Sequence, residues 1–313
     1  MTGHGKGFGK VILFGEHIVV YGYPAIVSAM GNTTTAVVED GTKGLEIVDS
    51  RPETPGYKEK KMGERDRALE LMFKFMDIDT QKTPLKITLG GDLVCASGKG
   101  SSAALATSVA RALNEHFNLG LNNNQINEIS YEGEKGSAGT PSGIDNTAST
   151  YGGLLIFKKN LEGGPNHIER MKIKEPVEIV LANTGITQET KEVVADIRSK
   201  KDAESEKYNK LFSNYMEIFD EAKKAIDDFD MKKVGSLMDE KQYILREMTL
   251  SCPEIEKIIE TGKNAGALGG KLTGTGRGGS VILLTPGKEL QEKVLKAIKE
   301  SGFDAIKTEM GAK

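Results

Sequence analysis

Several things are scarce in this chain. Its two cysteines, Cys95 and Cys252, stand far apart without a CxxC neighbour, which excludes a disulfide framework or a cysteine-built metal site and fits a reducing, cytoplasmic compartment. No segment approaches the roughly 18 consecutive apolar residues of a membrane-crossing helix. Residues 1–10 are glycine-rich and polar, so neither a membrane span nor an export signal is expected. Net charge is also small. The formal value is -3, and the 28% of charged residues are mixed in sign, leaving no basic stripe for nucleic acid and no lipid-facing patch. There is no internal repeat and no low-complexity tract. A small soluble substrate is the simplest expectation.

What is abundant is glycine. The 37 glycines cluster around Gly3 to Gly22, Gly90 to Gly100, Gly133 to Gly153 and Gly262 to Gly279, four places where backbone must turn sharply or come close to something. The 313 residues exceed one average domain and suit two. The weak Gly/Pro/Lys stretch from Asn160 to Pro176 is the best boundary, giving domains 1–170 and 171–313.

Short β-rich runs occur at Val11 to Phe14, Thr34 to Val38, Leu45 to Val48, Leu85 to Leu89, Leu154 to Phe157 and Val177 to Ala182. Helical patterns cover Arg65 to Met76 and a segment starting at Ser101 or Ser102 that puts Leu105, Val109, Ala112, Leu113 and Phe117 on one face. Three more run from Thr190 to Asp202, Glu204 to Phe229 and Met231 to Met248, and another starts at Pro253. Strands at Gly270 to Thr273 and Ser280 to Thr285, then a helix and strand within Lys288 to Thr308, complete an α+β chain with helices on one side of a mostly antiparallel sheet. The helical face of Leu211, Tyr215, Ile218, Ala222 and Phe229 reads as core or dimer packing, and a homodimer is expected.

The most informative stretch is Ser97-Gly98-Lys99-Gly100-Ser101-Ser102-Ala103-Ala104. Glycines there run into two serines and a helix, whose start offers free N–H groups and partial positive charge to a phosphate. An ordinary glycine turn capped by Ser101 fits the same letters. The Walker pattern GxxxxGK(S/T) does not, since Leu93 stands in place of its first glycine and Gly100 in place of its hydroxyl residue. A dinucleotide-binding reading of Gly274-Thr275-Gly276-Arg277-Gly278-Gly279 also fails, because that loop lies between two strands.

Three separated motifs resemble those of one family, in its order. They are Lys10-Val-Ile-Leu-Phe-Gly-Glu-His-Ile-Val-Val-Tyr-Gly-Tyr-Pro-Ala25, Gly98 to Ala104, and Lys271-Leu-Thr-Gly-Thr-Gly-Arg-Gly-Gly279; Gly139-Thr-Pro-Ser-Gly-Ile-Asp-Asn146 adds a fourth. The family is that of the galactokinase, homoserine kinase, mevalonate kinase and phosphomevalonate kinase enzymes. The resemblance implies ATP-dependent phosphoryl transfer. It also implies two domains: an N-terminal one with a left-handed crossover, like that of a small-subunit ribosomal protein, and a ferredoxin-like C-terminal one, with ATP and acceptor in the cleft between them. Gly15-Glu16-His17 followed by Val-Val-Tyr-Gly, and Asn183-Thr184-Gly185 with Thr190-Lys-Glu-Val-Val194, are most similar to the branch that phosphorylates mevalonate for isoprenoid synthesis. Relatives acting on phosphomevalonate, homoserine or a sugar, and non-catalytic ligand sensors of the same fold, are the alternatives. The presence of Lys10, Asp145 and Glu134 argues against a sensor.

By that resemblance Asp145 orients or deprotonates the acceptor hydroxyl and Lys10 stabilises developing charge. Gly98, Lys99, Gly100, Ser101, Ser102, Ala103, Gly276 and Arg277 surround the ATP phosphates, Glu134 with Ser102 or else Ser101 holds Mg²⁺, and Glu16, His17 and Thr190 contact the acceptor. From spacing alone, Ser142-Gly-Ile-Asp145 also fits a capping box, with the carboxylate folded back on a helix start. Three residues depart from the family pattern: Lys99 replaces a leucine, Arg277 replaces a glycine, and Gln188 stands where animal members carry a substrate-side arginine. Lys99 and Arg277 are expected to add cations near the triphosphate. His4, His116 and His167 show no metal spacing and read as structural or solvated.

Overall fold

A computed structural model describes residues 1–95, 99–139 and 141–313, with the side chain of Ala138 also outside the description. The chain forms two compact units. The first takes Met1–Lys10, Ala29–Gly152 and Lys313; the second takes Val11–Ser28 and Gly153–Ala312. The division expected after residue 170 thus falls inside the second unit. The reason is pairing: β5 (Leu154–Lys158) runs antiparallel to the first residues of β2 (Pro24–Asp40), with Ser28 opposite Leu154, and β6 (His167–Met171) extends that ladder.

In the first unit, β4 (Leu85–Gly91) lies between β2, to which it is antiparallel, and β3 (Leu45–Asp49), to which it is parallel. Alternation along β4 turns Leu85, Ile87 and Leu89 to the core. They meet apolar faces of α2 (Met62–Phe75), α3 (Ser101–His116) and α4 (Asn123–Ala138); the short helices α1 (Tyr57–Lys60) and α5 (Ile144–Tyr151) complete the unit.

Strand β1 (Gly3–Phe14) begins much earlier than its apolar letters predict. Its alternate residues are glycines for a steric reason. A Cβ on Gly3, Gly5 or Gly7 would sit 2.1, 1.8 or 2.2 Å from the carbonyl oxygen of Ala112, Ser108 or Ala104, so only a bare backbone can lie directly on α3. Arg111 of α3 donates to the Lys6 carbonyl, and Ser149 of α5 donates to the Phe8 carbonyl at 2.6 Å. The strand is thereby held on both helices just before it reaches Lys10.

In the second unit, β10 (Asp304–Met310), β7 (Val177–Asn183), β9 (Ser280–Leu284) and β8 (Gly269–Thr273) pair antiparallel in that order. The helices are α6 (Thr190–Ala203), α7 (Ser205–Asp227), α8 (Met231–Glu247), α9 (Pro253–Asn264) and α10 (Lys288–Glu300). Leu211, Tyr215, Ile218 and Ala222 are buried within the single chain, which makes the α7 stripe core rather than a surface for a second copy. Among the described residues no helix is long and apolar enough to cross a membrane.

Candidate active site

In the first unit, α3 starts at Ser101 with Gly100 before it at φ 69°, and this N-cap glycine has no side chain to cap the first N–H groups. An uncapped helix start is a place for an anion. Gly100 is required twice over: its left-handed backbone suits glycine, and a Cβ there would lie 2.9 Å from Cγ of Lys10. The backbone N–H of Lys10 donates to the Lys99 carbonyl at 3.1 Å, joining β1 to the turn that precedes α3. Lys99, Ser101 and Ala103 are buried, and Ser102 is half-buried. Gly98, expected in the same loop, lies outside the described residues.

Asp145 is the second residue of α5. Its carboxylate does not fold back on the helix start as a capping box would require. It lies 3.1 Å from the ammonium of Lys10, a residue only 6% exposed. Glu134 comes from α4, which the glycines Gly133 and Gly136 allow against α2: a Cβ on Gly136 would lie 2.5 Å from the Ala68 nitrogen. Burial, reinforced by the charge of Asp145, pushes the Glu134 carboxyl up to about 7, while a Ser102 hydrogen bond and Lys10 pull the other way. Its Oε1 is buried with no partner.

That orphaned oxygen, with Ser102 bound to the same carboxyl and Asp145 close enough to repel it, is a donor set suited to a hard divalent cation that keeps waters and phosphate oxygens as its other ligands. Among the described residues no three His, Cys, Asp or Glu side chains form a metal cage. Magnesium carried on a nucleotide requires none.

Beside the α3 start opens a cavity lined by Arg51, Tyr57, Lys58, Lys61, Ser101 and Ser102, among others. Asp49 fixes the Arg51 guanidinium through two hydrogen bonds of 2.9 and 2.7 Å. The sequence reading missed these residues, because a run of lysines at Lys58, Lys60 and Lys61 is what a solvated helix also looks like.

In the second unit, a tight turn presents Glu16 and His17, with Gly15 at φ 116° and His17 at φ 59°. The Glu16 side chain is wholly buried and ion-paired with Lys271, whose ammonium also donates to the Leu272 and Ile12 carbonyls at 2.7 and 3.3 Å. The other Glu16 oxygen has no partner. Lys241 of α8 is buried nearby, its ammonium 4.6 Å from the Tyr215 ring centroid and without a hydrogen-bond partner. Burial lowers its pKa to about 7 against the charge of Glu16.

His17 Nε2 is 2.6 Å from the Thr275 carbonyl oxygen. A carbonyl only accepts, so Nε2 carries the proton. Burial holds the ring below its ordinary pKa and hence neutral, which leaves Nδ1, buried and unpartnered, with a free lone pair. The Thr275 hydroxyl is 2.7 Å from that of Thr190 at the start of α6, so His17, Thr275 and Thr190 converge. Gly276 turns the loop at φ 79°. Arg277, expected at the triphosphate, has its guanidinium on Asp196 and on the Thr249 carbonyl.

The model of the GHMP kinases N terminal domain matches residues 66–153, and that of GHMP kinases C terminal matches residues 222–304. With both domains of that family in order, and its relatives spanning nearly the whole chain, the protein belongs to the GHMP kinases. The particular relatives point one way. The mevalonate kinase of Pyrococcus abyssi is 31% identical, over 94% of this chain and 91% of its own. That of Aeropyrum pernix is 31% identical, over 95% and 93%. The crystal structure of L. major mevalonate kinase in complex with R-mevalonate superposes with a TM-score of 0.94 at 35% identity, covering 100% of this chain and 97% of the other.

Proposed function

We propose that this GHMP kinase transfers the γ-phosphoryl group of ATP to the primary hydroxyl of mevalonate, giving 5-phosphomevalonate. The observation that carries the reading is the Lys10–Asp145 ion pair in the same unit as the uncapped start of α3 and the buried Glu134. The acceptor is supported by the whole-length similarity to mevalonate kinases.

Phosphoryl transfer asks for positioning and charge neutralisation more than for covalent help. Asp145 accepts the proton of the acceptor hydroxyl. The freed oxygen bonds to the γ-phosphorus as the bond to the bridging oxygen breaks, and ADP leaves. Lys10, ion-paired with Asp145, stabilises negative charge on the attacking oxygen. The backbone from Lys99 to Ala103 holds the phosphates, and the cavity by Arg51 and Tyr57 takes the rest of the nucleotide. Ser102 and Glu134 would hold the Mg²⁺ that neutralises phosphate charge. On the acceptor side, the His17 Nδ1 lone pair accepts a hydrogen bond from a hydroxyl and Thr190 is tied to the same loop, while Glu16, wholly buried on Lys271, supports the turn that carries His17. A coupled assay of ADP release against mevalonate, phosphomevalonate, homoserine and galactose tests the reading. The highest kcat/KM for mevalonate is expected, and a higher value for any other overturns the acceptor while sparing the kinase.

A further inference from the structure

The loop Gly274 to Gly279 is unusual in its backbone. Gly274, Gly276, Arg277, Gly278 and Gly279 all have positive φ, so five of its six residues sit where side chains are disfavoured. Four of them are glycine, as that conformation asks. Arg277, at φ 56°, is not, and glycine would hold the same turn without side-chain strain. An arginine kept against local preference has to earn its place through its side chain.

That side chain reaches away from the loop along its own unit. The guanidinium is ion-paired with Asp196 of α6, and it donates to the Thr249 carbonyl at 3.0 Å and to the Thr249 hydroxyl at 3.3 Å. Lys200, one turn along α6, closes the group, at 3.0 Å from Asp196 and 2.8 Å from the Thr249 hydroxyl. The Arg277 backbone N–H donates to the Leu250 carbonyl at 2.6 Å. Thr249 is β-branched and also stands at positive φ, 60°, a second strained residue held by the same contacts.

Two residues before Arg277 is Thr275. Its carbonyl accepts the His17 Nε2–H hydrogen bond and its hydroxyl meets Thr190, the first residue of the helix that carries Asp196. The loop is thus fastened to α6 at two points, Thr275 on Thr190 and Arg277 on Asp196, with the His17 contact beside the first. We propose that Arg277 is a positioning residue of the acceptor side: its guanidinium straps the glycine loop to α6 and to the turn after α8, and so fixes Thr275 beneath His17 and Thr190. It acts through the loop and does not serve the triphosphate. The inference rests on the acceptor-side reading of His17 and Thr190 given above.

The test is steady-state kinetics of the full chain with Arg277→Gly, Arg277→Lys, Asp196→Asn and the double variant Arg277→Gly/Asp196→Asn. Expected for Arg277→Gly is a fall of roughly tenfold in kcat/KM for the acceptor with the ATP KM within about twofold of wild type. Lysine should not restore the loss, because a point charge cannot bridge Asp196 and Thr249 together. The double variant should be no worse than Arg277→Gly alone, as members of one strap are not additive. A rise in ATP KM at least as large as the acceptor effect, full rescue by lysine, or unchanged kinetics in every variant would each overturn the proposal. Arg277→Lys and Asp196→Asn keep it testable if the glycine variant fails to fold. An error in the acceptor's identity shows separately, in the wild-type acceptor panel, and the strap is then measured with whichever acceptor is used.

Discussion

The Lys10 ammonium lies 3.1 Å from Asp145 Oδ1, joining β1, just past its glycine-rich half, to the second residue of α5. Asp145 does not cap α5, and Lys10 is too buried to be a solvated cation. Replacing the carboxylate by an amide keeps the shape and removes the base. Asp145→Asn is therefore expected to lower kcat by at least about 100-fold, the usual range for a lost general base. The ATP dissociation constant should change little, since the α3 start and Glu134 remain. Titration of nucleotide binding and single-turnover kinetics check the two halves, and near-normal turnover would remove Asp145 from the chemistry.

Glu134 offers a pH test. Its folded pKa is raised to about 7, above the ordinary carboxylate value, so the folded state holds a proton that the unfolded chain has already released. The associated stability is fully present below the unfolded pKa and is lost as pH rises through about 7. The ligand-free protein should accordingly lose stability between pH 5 and pH 8 by an amount bounded at about 3 kcal/mol from this group. Glu134→Gln should flatten that part of the profile. Urea denaturation at four pH values measures it, and an unchanged slope in the variant would show that the carboxyl is already ionised at low pH.

Much of this arrangement could be read from the letters, and the exceptions have physical causes. Helices α6 and α9 begin at the predicted Thr190 and Pro253, because a periodic apolar face and a proline in the first turn both mark a start. Helix α4 went unread. Its interior carries Gly133 and Gly136, poor helix formers that are there for close packing, although the capping box of Asn122 and Gln125 was a visible signal. The first half of β1 was illegible for a related reason: glycines show no alternation, and their purpose appears only when α3 is laid against them. Lys241 did leave a trace. It stands three residues after Met238 and four before Leu245, a lysine on a buried apolar stripe, which a helical count would have flagged.

That lysine provides the next test. Its amine is buried without a hydrogen-bond partner, and its pKa is lowered to about 7, chiefly by burial. For a base lowered on folding, the unfolded chain takes up a proton between about pH 7 and its ordinary value near 10.5 while the folded chain does not. Stability contributed by this site therefore rises with pH across that window. Lys241→Met, of similar length, should stabilise the protein at pH 7 by about 1–4 kcal/mol. The advantage should shrink toward pH 10. Denaturant melts of both proteins at pH 7, 8.5 and 10 decide it; a gap that does not narrow would mean that the amine is charged and paired in solution.

The acceptor side supplies the last prediction. His17 is neutral, its Nε2 proton is committed to the Thr275 carbonyl, and its Nδ1 lone pair is buried and unused, so it can only accept. Thr190 is tied to the same residue through its hydroxyl. A buried polar group left without its partner costs about 1–3 kcal/mol, or roughly a factor of thirty for the middle of that range. His17→Ala removes the acceptor of the substrate hydroxyl, and Thr190→Val removes the bond that holds Thr275 while keeping the side-chain volume. Each is expected to lower kcat/KM for mevalonate by at least roughly tenfold, with the ATP KM little changed. The two changes should be less than additive when combined, because Thr190 acts on His17 through Thr275. Full additivity would place them at independent points on the substrate, and a matching rise in ATP KM would move them off the acceptor side altogether.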